Sequence, residues 1–134
     1  MPEKRTIERA RRDKREGKSP STQAGEFVHE EIEHIRKGKH GARSTKQAIA
    51  IGLSKARRAG VKLPPPKKGV SARTRKSAAS DYKKGQSGKK HVPSPARSRA
   101  ATQKLKHEPK NVASKKALSA HAKRAAAARR KRKG

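Results

Sequence analysis

Cysteine and tryptophan are absent from this chain, and phenylalanine and tyrosine occur once each, as Phe27 and Tyr82. Without cysteine there is no disulfide framework and no thiolate metal site, and the composition suits a reducing compartment. Without aromatic platforms, single-stranded or looped bases have almost nothing to stack on, which argues against sequence-specific stacking readout. No run approaches the roughly 20 apolar residues that span a bilayer. Pro2-Glu3-Lys4-Arg5 leads into more charge rather than an apolar stretch, so no signal peptide is expected.

Carboxylates are scarce in most of the chain. Eight of the ten acids lie before His34, together with eight basic residues, so the first 33 residues are formally neutral. The remainder carries 32 basic residues against only Asp81 and Glu108, which is the whole net charge of +30. Such a segment repels itself unless a polyanion neutralises it, and phosphate contact with nucleic acid releases condensed counterions whatever the base sequence. Hydrophobic residues make up 28% of the chain against 37% charged, and many of the former are Ala. Low hydrophobicity with high net charge marks chains that cannot offset their conformational entropy by burial. The expected fold is therefore mostly disordered, with one small all-α element.

Three regions follow. Residues 1–20 are a charged segment whose Glu8–Arg12 and Arg12–Glu16 spacings support a marginal, solvated helix, ended by Gly17-Lys18-Ser19-Pro20. Residues 21–63 hold the expected helical hairpin, about 22–60. Ser21 or Thr22 caps its first helix, Ala24, Phe27, Val28, Ile32 and Ile35 form its apolar stripe, and Gly38 stops it. Ser44 caps the second, Thr45–Ala59, which Gly60 closes; its apolar residues span about 140° of the wheel. Such a pair lies near the size that needs outside help to fold, so a weak homodimer through the hairpin or a nucleic-acid partner is expected. After Pro64-Pro65-Pro66, residues 64–134 read as a basic disordered tail, coil when free. Ser94–His107 and Ser114–Arg132 have helix-forming content that phosphate contact would release.

Several patterns invite chemistry. His29 and His34 bracket three acids, but a shared helical face needs i,i+4 and these are i,i+5, so no metal site is expected. Gly85-Gln-Ser-Gly-Lys-Lys90 is too short for a phosphate loop of the nucleotide-binding type and no strand precedes it. No nucleophile–base–orienter set is present, and neither catalysis nor a cofactor is expected. Lys37–Arg43 leading into Ser44 is the sharpest feature. A helix N-terminus after a Lys/Arg/Gly loop makes either a phosphate-binding corner, through Lys37, Lys39, His40, Arg43 and Lys46, or a solvated turn with an ordinary cap. Further candidate nucleic-acid contacts are Lys55, Arg57 and Arg58 on the second helix and Arg97 and Arg99 in the tail. The C-terminal run adds Lys123, Arg124, Arg129, Arg130, Lys131, Arg132 and Lys133.

The segment Phe27–Val61, most strongly Ser44-Thr-Lys-Gln-Ala-Ile-Ala-Ile-Gly-Leu-Ser-Lys-Ala, resembles a family of small basic bacterial proteins known only as a domain of unknown function. Gly52 stands where that family carries Ala. The resemblance implies a bacterial source and brings no activity with it. Ser94-Pro95-Ala96-Arg97 resembles the Ser-Pro-basic repeats of linker-histone and sperm-histone tails, and the Lys/Ala/Arg tail is similar in composition to linker-histone-like bacterial proteins. The resulting expectation is a non-enzymatic, histone-like protein of the cytoplasmic nucleoid that binds duplex DNA with little sequence preference. An RNA-binding or ribosome-associated role is the alternative.

Overall fold

A computed structural model describes residues 3–67, 70–87 and 95–133 of the chain, with side chains through Lys131. It contains α1 (Lys4–Arg15), α2 (Pro20–Arg36), α3 (Thr45–Arg58), α4 (Ala72–Gln86), α5 (Pro95–Lys106) and α6 (Lys115–Lys133), with a short 3-10 turn at Asn111–Ala113. Serine hydroxyls cap four of these helices: Ser19, Ser44, Ser71 and Ser114 accept from the backbone N–H groups of Thr22, Gln47, Thr74 and Ala117. Gly17, Gly38 and Gly60 follow the first three at φ of 78°, 79° and 101°, the left-handed geometry that terminates a helix most easily with glycine.

The expectation of a mostly disordered chain with a single helical hairpin is overturned. α4, α5 and α6 occupy the stretch read as coil, so neither intrinsic disorder nor a lone hairpin describes this fold. The reason is the nature of the packing. Hydrophobicity measures reward large side chains, whereas this chain packs through alanines, glycines and buried carboxylates. Ala24, Ala42, Ala48, Ala56 and Ala113 are fully buried. Small residues bury little area each but let backbones approach closely, and the polar groups then reach their partners at short range.

The chain forms two compact units, one from residues 1–31 and 50–93 and the other from 32–49 and 94–134. In the first, Ala10, Ala24, Phe27, Ala56 and Val61 form the core, with Ile7, Leu53 and Leu63 packed against it. α1 docks through Thr6, Ala10 and Asp13, which share one face at i, i+4, i+7 and are all buried. Glu30 Oε1 accepts from the Glu3 backbone N–H at 2.5 Å and from Thr6 Oγ1 at 3.2 Å. A Cβ on Gly52 would lie 2.6 Å from Val28 Cα, so the Ala expected from the family resemblance has no room here. Glu31, fully buried, is paired with Lys55.

Asp81 attaches α4. Its carboxylate accepts from Ser54 Oγ and from Arg58 Nε, both at 2.7 Å. Gly85 lies against the Arg57 carbonyl with no space for a Cβ, and Gln86 Nε2 donates to the Gly60 carbonyl at 3.1 Å. Arg57 is buried and donates to the Leu63 and Pro64 carbonyls at 3.2 Å each, fixing the extended segment before α4. Burial pushes its guanidinium pKa down, against the opposing pull of Asp81.

In the second unit, Ile32, Ile35, Ala42, Ala48 and Ala113 are buried. Four donors of residues 36–45 grip the carbonyls of residues 105–113. Gly41 N–H donates to Leu105 at 2.7 Å, Ala42 N–H to Pro109 at 2.8 Å, Thr45 Oγ1 to Val112 at 2.6 Å and Arg36 Nε to Ala113 at 2.8 Å. Gly41 is obligatory in this arrangement, because the Glu108 carbonyl occupies the place of a Cβ. Among the described residues no helix is long and apolar enough to cross a membrane.

Asp81→Asn keeps one hydrogen bond and removes the charge. Arg58 is half exposed, which weakens the ion pair toward the surface range, so the loss is about 1–2 kcal/mol. Urea unfolding should show that loss, and hydrogen exchange should show it first in Ala72–Gln86. Gly52→Ala should cost about 1–3 kcal/mol through overpacking, read as a lowered Tm.

Glu26 gives the pH signature. Burial, and next the neighbouring Asp13, raise its pKa above the usual 4.5. The folded state therefore favours the protonated acid, and stability falls as pH rises from 4.5 through the raised value. Glu26→Gln should match wild type near pH 4 and exceed it in Tm at pH 7. An unchanged difference across that window would contradict the assignment.

Candidate nucleic-acid interface

The carboxylates decide which cations are available. Lys55, Arg57 and Arg58, read from the sequence as nucleic-acid contacts, are engaged within the first unit by Glu31, by the Leu63 and Pro64 carbonyls and by Asp81 respectively. Lys55 is only partly exposed and Arg57 is buried, whereas Arg58 retains half of its side-chain surface. Their periodicity placed them outside the apolar stripe, but not against a second set of polar partners. Asp81 lies 23 residues beyond Arg58, and no local pattern connects the two.

Around the Lys37–Ser44 loop the cationic side chains are largely exposed and the backbone is engaged. Lys37, Lys39, Arg43 and Lys46 are exposed and His40 is partly so. His40 Nδ1 lies 2.9 Å from the Gly41 carbonyl oxygen, and the ring meets His34 edge-on with centroids 6.3 Å apart. The amides that would cradle a phosphate are already bonded. Gly41 and Ala42 donate to residues 105 and 109, Arg43 N–H donates to Gln47 Oε1 at 2.5 Å, and Gln47 N–H donates to Ser44 Oγ. The last two form a reciprocal capping pair that satisfies the helix end internally. The turn is ordered, and its cationic side chains lie at the surface.

The densest exposed charge of the second unit lies on α5 and α6. α5 buries no residue, and Arg97 and Arg99 stand on its exposed surface with Lys104 and Lys106. On α6, Lys123, Arg124, Arg129, Arg130 and Lys131 are exposed, while Leu118, Ala125 and Ala126 are partly covered. The side chains of Arg132 and Lys133 lie outside the described residues, as do Ser94 of the Ser-Pro-basic motif and residues 88–90 of the glycine-lysine run.

α4 was missed from the sequence, and with it the exposed Arg73, Arg75 and Lys76 on its first turns. Ser71 three residues before Thr74 was the available signal for its start, obscured by the lack of any large aliphatic in Ala72–Gln86. His29 is exposed and lines a shallow cleft of the first unit with Arg9, Arg12, Thr22, Gly25 and Glu26.

No curated protein and no solved structure matches this chain. Residues 3–68, which include Phe27–Val61 and its Ser44–Ala56 signature, match the model of a family of unknown function (DUF6496).

Proposed function

We propose that this protein is a non-enzymatic, largely sequence-nonspecific, histone-like DNA-binding protein of the bacterial nucleoid that acts by neutralising phosphates. The carrying observation is the partition of charge. Glu30, Glu31, Asp13 and Asp81 are buried, while the cations of α5 and α6 face solvent with a net charge of +30 behind them. A polyanion is the partner that relieves this imbalance.

The helical state changes the mechanism expected from sequence. A coil over residues 64–134 would have had to order on the duplex. α6 instead presents its cations on a rod of 19 residues, about 28 Å long at 1.5 Å per residue. Less conformational entropy is lost on binding, and the contacts follow the backbone rather than the bases. RNA remains the alternative partner for this phosphate-directed charge, but the single Phe is buried and the single Tyr is not an exposed platform, which disfavours base stacking.

The test is titration with random and AT-rich duplexes across salt. Engaging 6–10 phosphates should reduce affinity by roughly 10³–10⁵ between 50 and 200 mM salt, with the two duplexes within a few-fold of each other. Replacing Lys123, Arg124, Arg129 and Arg130 with Gln should lower the slope by about 3–4, whereas Lys39, Arg43 and Lys46 to Ala should lower it less. Substitution is preferred to truncation, because removing residues 94–134 would strip the second unit of its packing partners. A shallow slope or a strong preference for one duplex sequence would refute the proposal.

A further inference from the structure

The charges of the first 33 residues sum to zero, but seven of their eight cations stand on α1 with only two of their eight acids, Glu8 and Asp13. Within α1 the acid Asp13 is turned inward, where it bonds Lys18, and just beyond the helix Glu16 is paired with that same Lys18 at 3.2 Å. Glu8 is the one exposed acid left in the helix. Arg5, Arg9, Arg11, Arg12 and Arg15 are all exposed. Arg5 meets Glu3 at 3.9 Å, Arg9 interacts electrostatically with Glu26 across the cleft that both line, and no ion pair among the described residues engages Arg11, Arg12 or Arg15.

At 100° per residue these five arginines fan over about 160° of the helix, opposite the buried Thr6, Ala10 and Asp13. From Arg5 to Arg15 they extend about 15 Å along the axis. Arg5, Arg9, Arg12 and Arg15 line one concave surface with Glu8.

We infer that α1 is a second DNA-contacting surface, an arginine-faced helix that enters the major groove of B-form DNA and holds the phosphates on either wall. The inference rests on the proposed binding of nucleic acid. Charge complementarity supplies the attraction, which any cation at these positions provides. Dimensions select the duplex. A helix about 10–12 Å across fits a groove of about 12 Å, whereas the A-form major groove is deep and narrow and excludes it. The face offers no large aliphatic for a lipid surface, since Ile7 packs against the core.

Four full-length proteins decide the matter: wild type, R5Q/R9Q/R12Q/R15Q, its lysine counterpart R5K/R9K/R12K/R15K, and K123Q/R124Q/R129Q/R130Q, which loses the same formal charge from α6. Each is titrated with DNA and RNA duplexes of one sequence, and guanine N7 methylation by dimethyl sulfate reports occupancy of the major groove. The expected result is N7 protection by wild type and by the α6 variant, and its loss in the α1 variant. The DNA salt slope of the α1 variant should fall by about 3–4, with a smaller loss on RNA. An all-lysine version of the four α1 positions keeps the charge and should keep the protection. Protection that survives the glutamines, fails to return with lysine, or is never seen despite steep binding by wild type overturns the α1 surface alone. Equal losses on DNA and RNA overturn it as well. A wild type that binds neither duplex with steep salt dependence overturns the proposed function and this inference together.

Discussion

A buried carboxylate is the contact on which this fold depends, because so few are present. Forty cations and ten acids share one chain, so an acid placed inside the fold can fix a register through its hydrogen bonds and, at Glu31, Asp13 and Asp81, neutralise a cation as well. Glu31 receives Lys55, Asp13 receives Lys18, and Glu30 receives the start of α1. Asp81 is the clearest case. It is one of two acids beyond His34, and it bonds both Ser54 and Arg58 across the junction of α3 and α4. An ion pair at the surface is worth little, but one whose acid is dehydrated and doubly bonded is costly to break.

That economy explains what could and could not be read in advance. Local signals were legible: Gly38 and Gly60 as stops, Ser44 as a cap, and helix content in Ser94–His107 and Ser114–Arg132, now α5 and α6. Tertiary structure was not. Its apolar part is largely alanine, whose burial leaves almost no periodic signal, and its polar part joins residues far apart in sequence. Arg36 with Ala113 and Thr45 with Val112 are separated by 77 and 67 residues. The candidate interface divided along the same line. The cations of the loop and of α6, picked out by their charge runs and a helix cap, are exposed, whereas Lys55, Arg57 and Arg58 have partners within the fold that periodicity does not reveal.

The distribution of charge therefore matters more than its sum. A segment neutral in sum can present a basic face where its acids lie on another helix or point inward: α1 holds seven of the eight cations of the first 33 residues but only Glu8 and the buried Asp13. A strongly basic segment can lose cations to internal bonds, as α3 does. Salt screens exposed charges within about a Debye length, roughly 8 Å at physiological ionic strength, but screens the buried pairs much less. Rising salt should weaken the field of the exposed cations sooner than it loosens the junctions around Glu31 and Asp81.

The grip of residues 36–45 on the carbonyls of 105–113 sets a timetable for synthesis. Gly41 and Thr45 emerge long before their partners exist. At 5–20 residues per second, about 3–14 s separate Thr45 from Ala113. During that interval the donors of the loop are hydrated, the loop's cations are presented without their later neighbours, and the second unit cannot close. The order in which its pieces appear therefore governs which internal contacts form earliest.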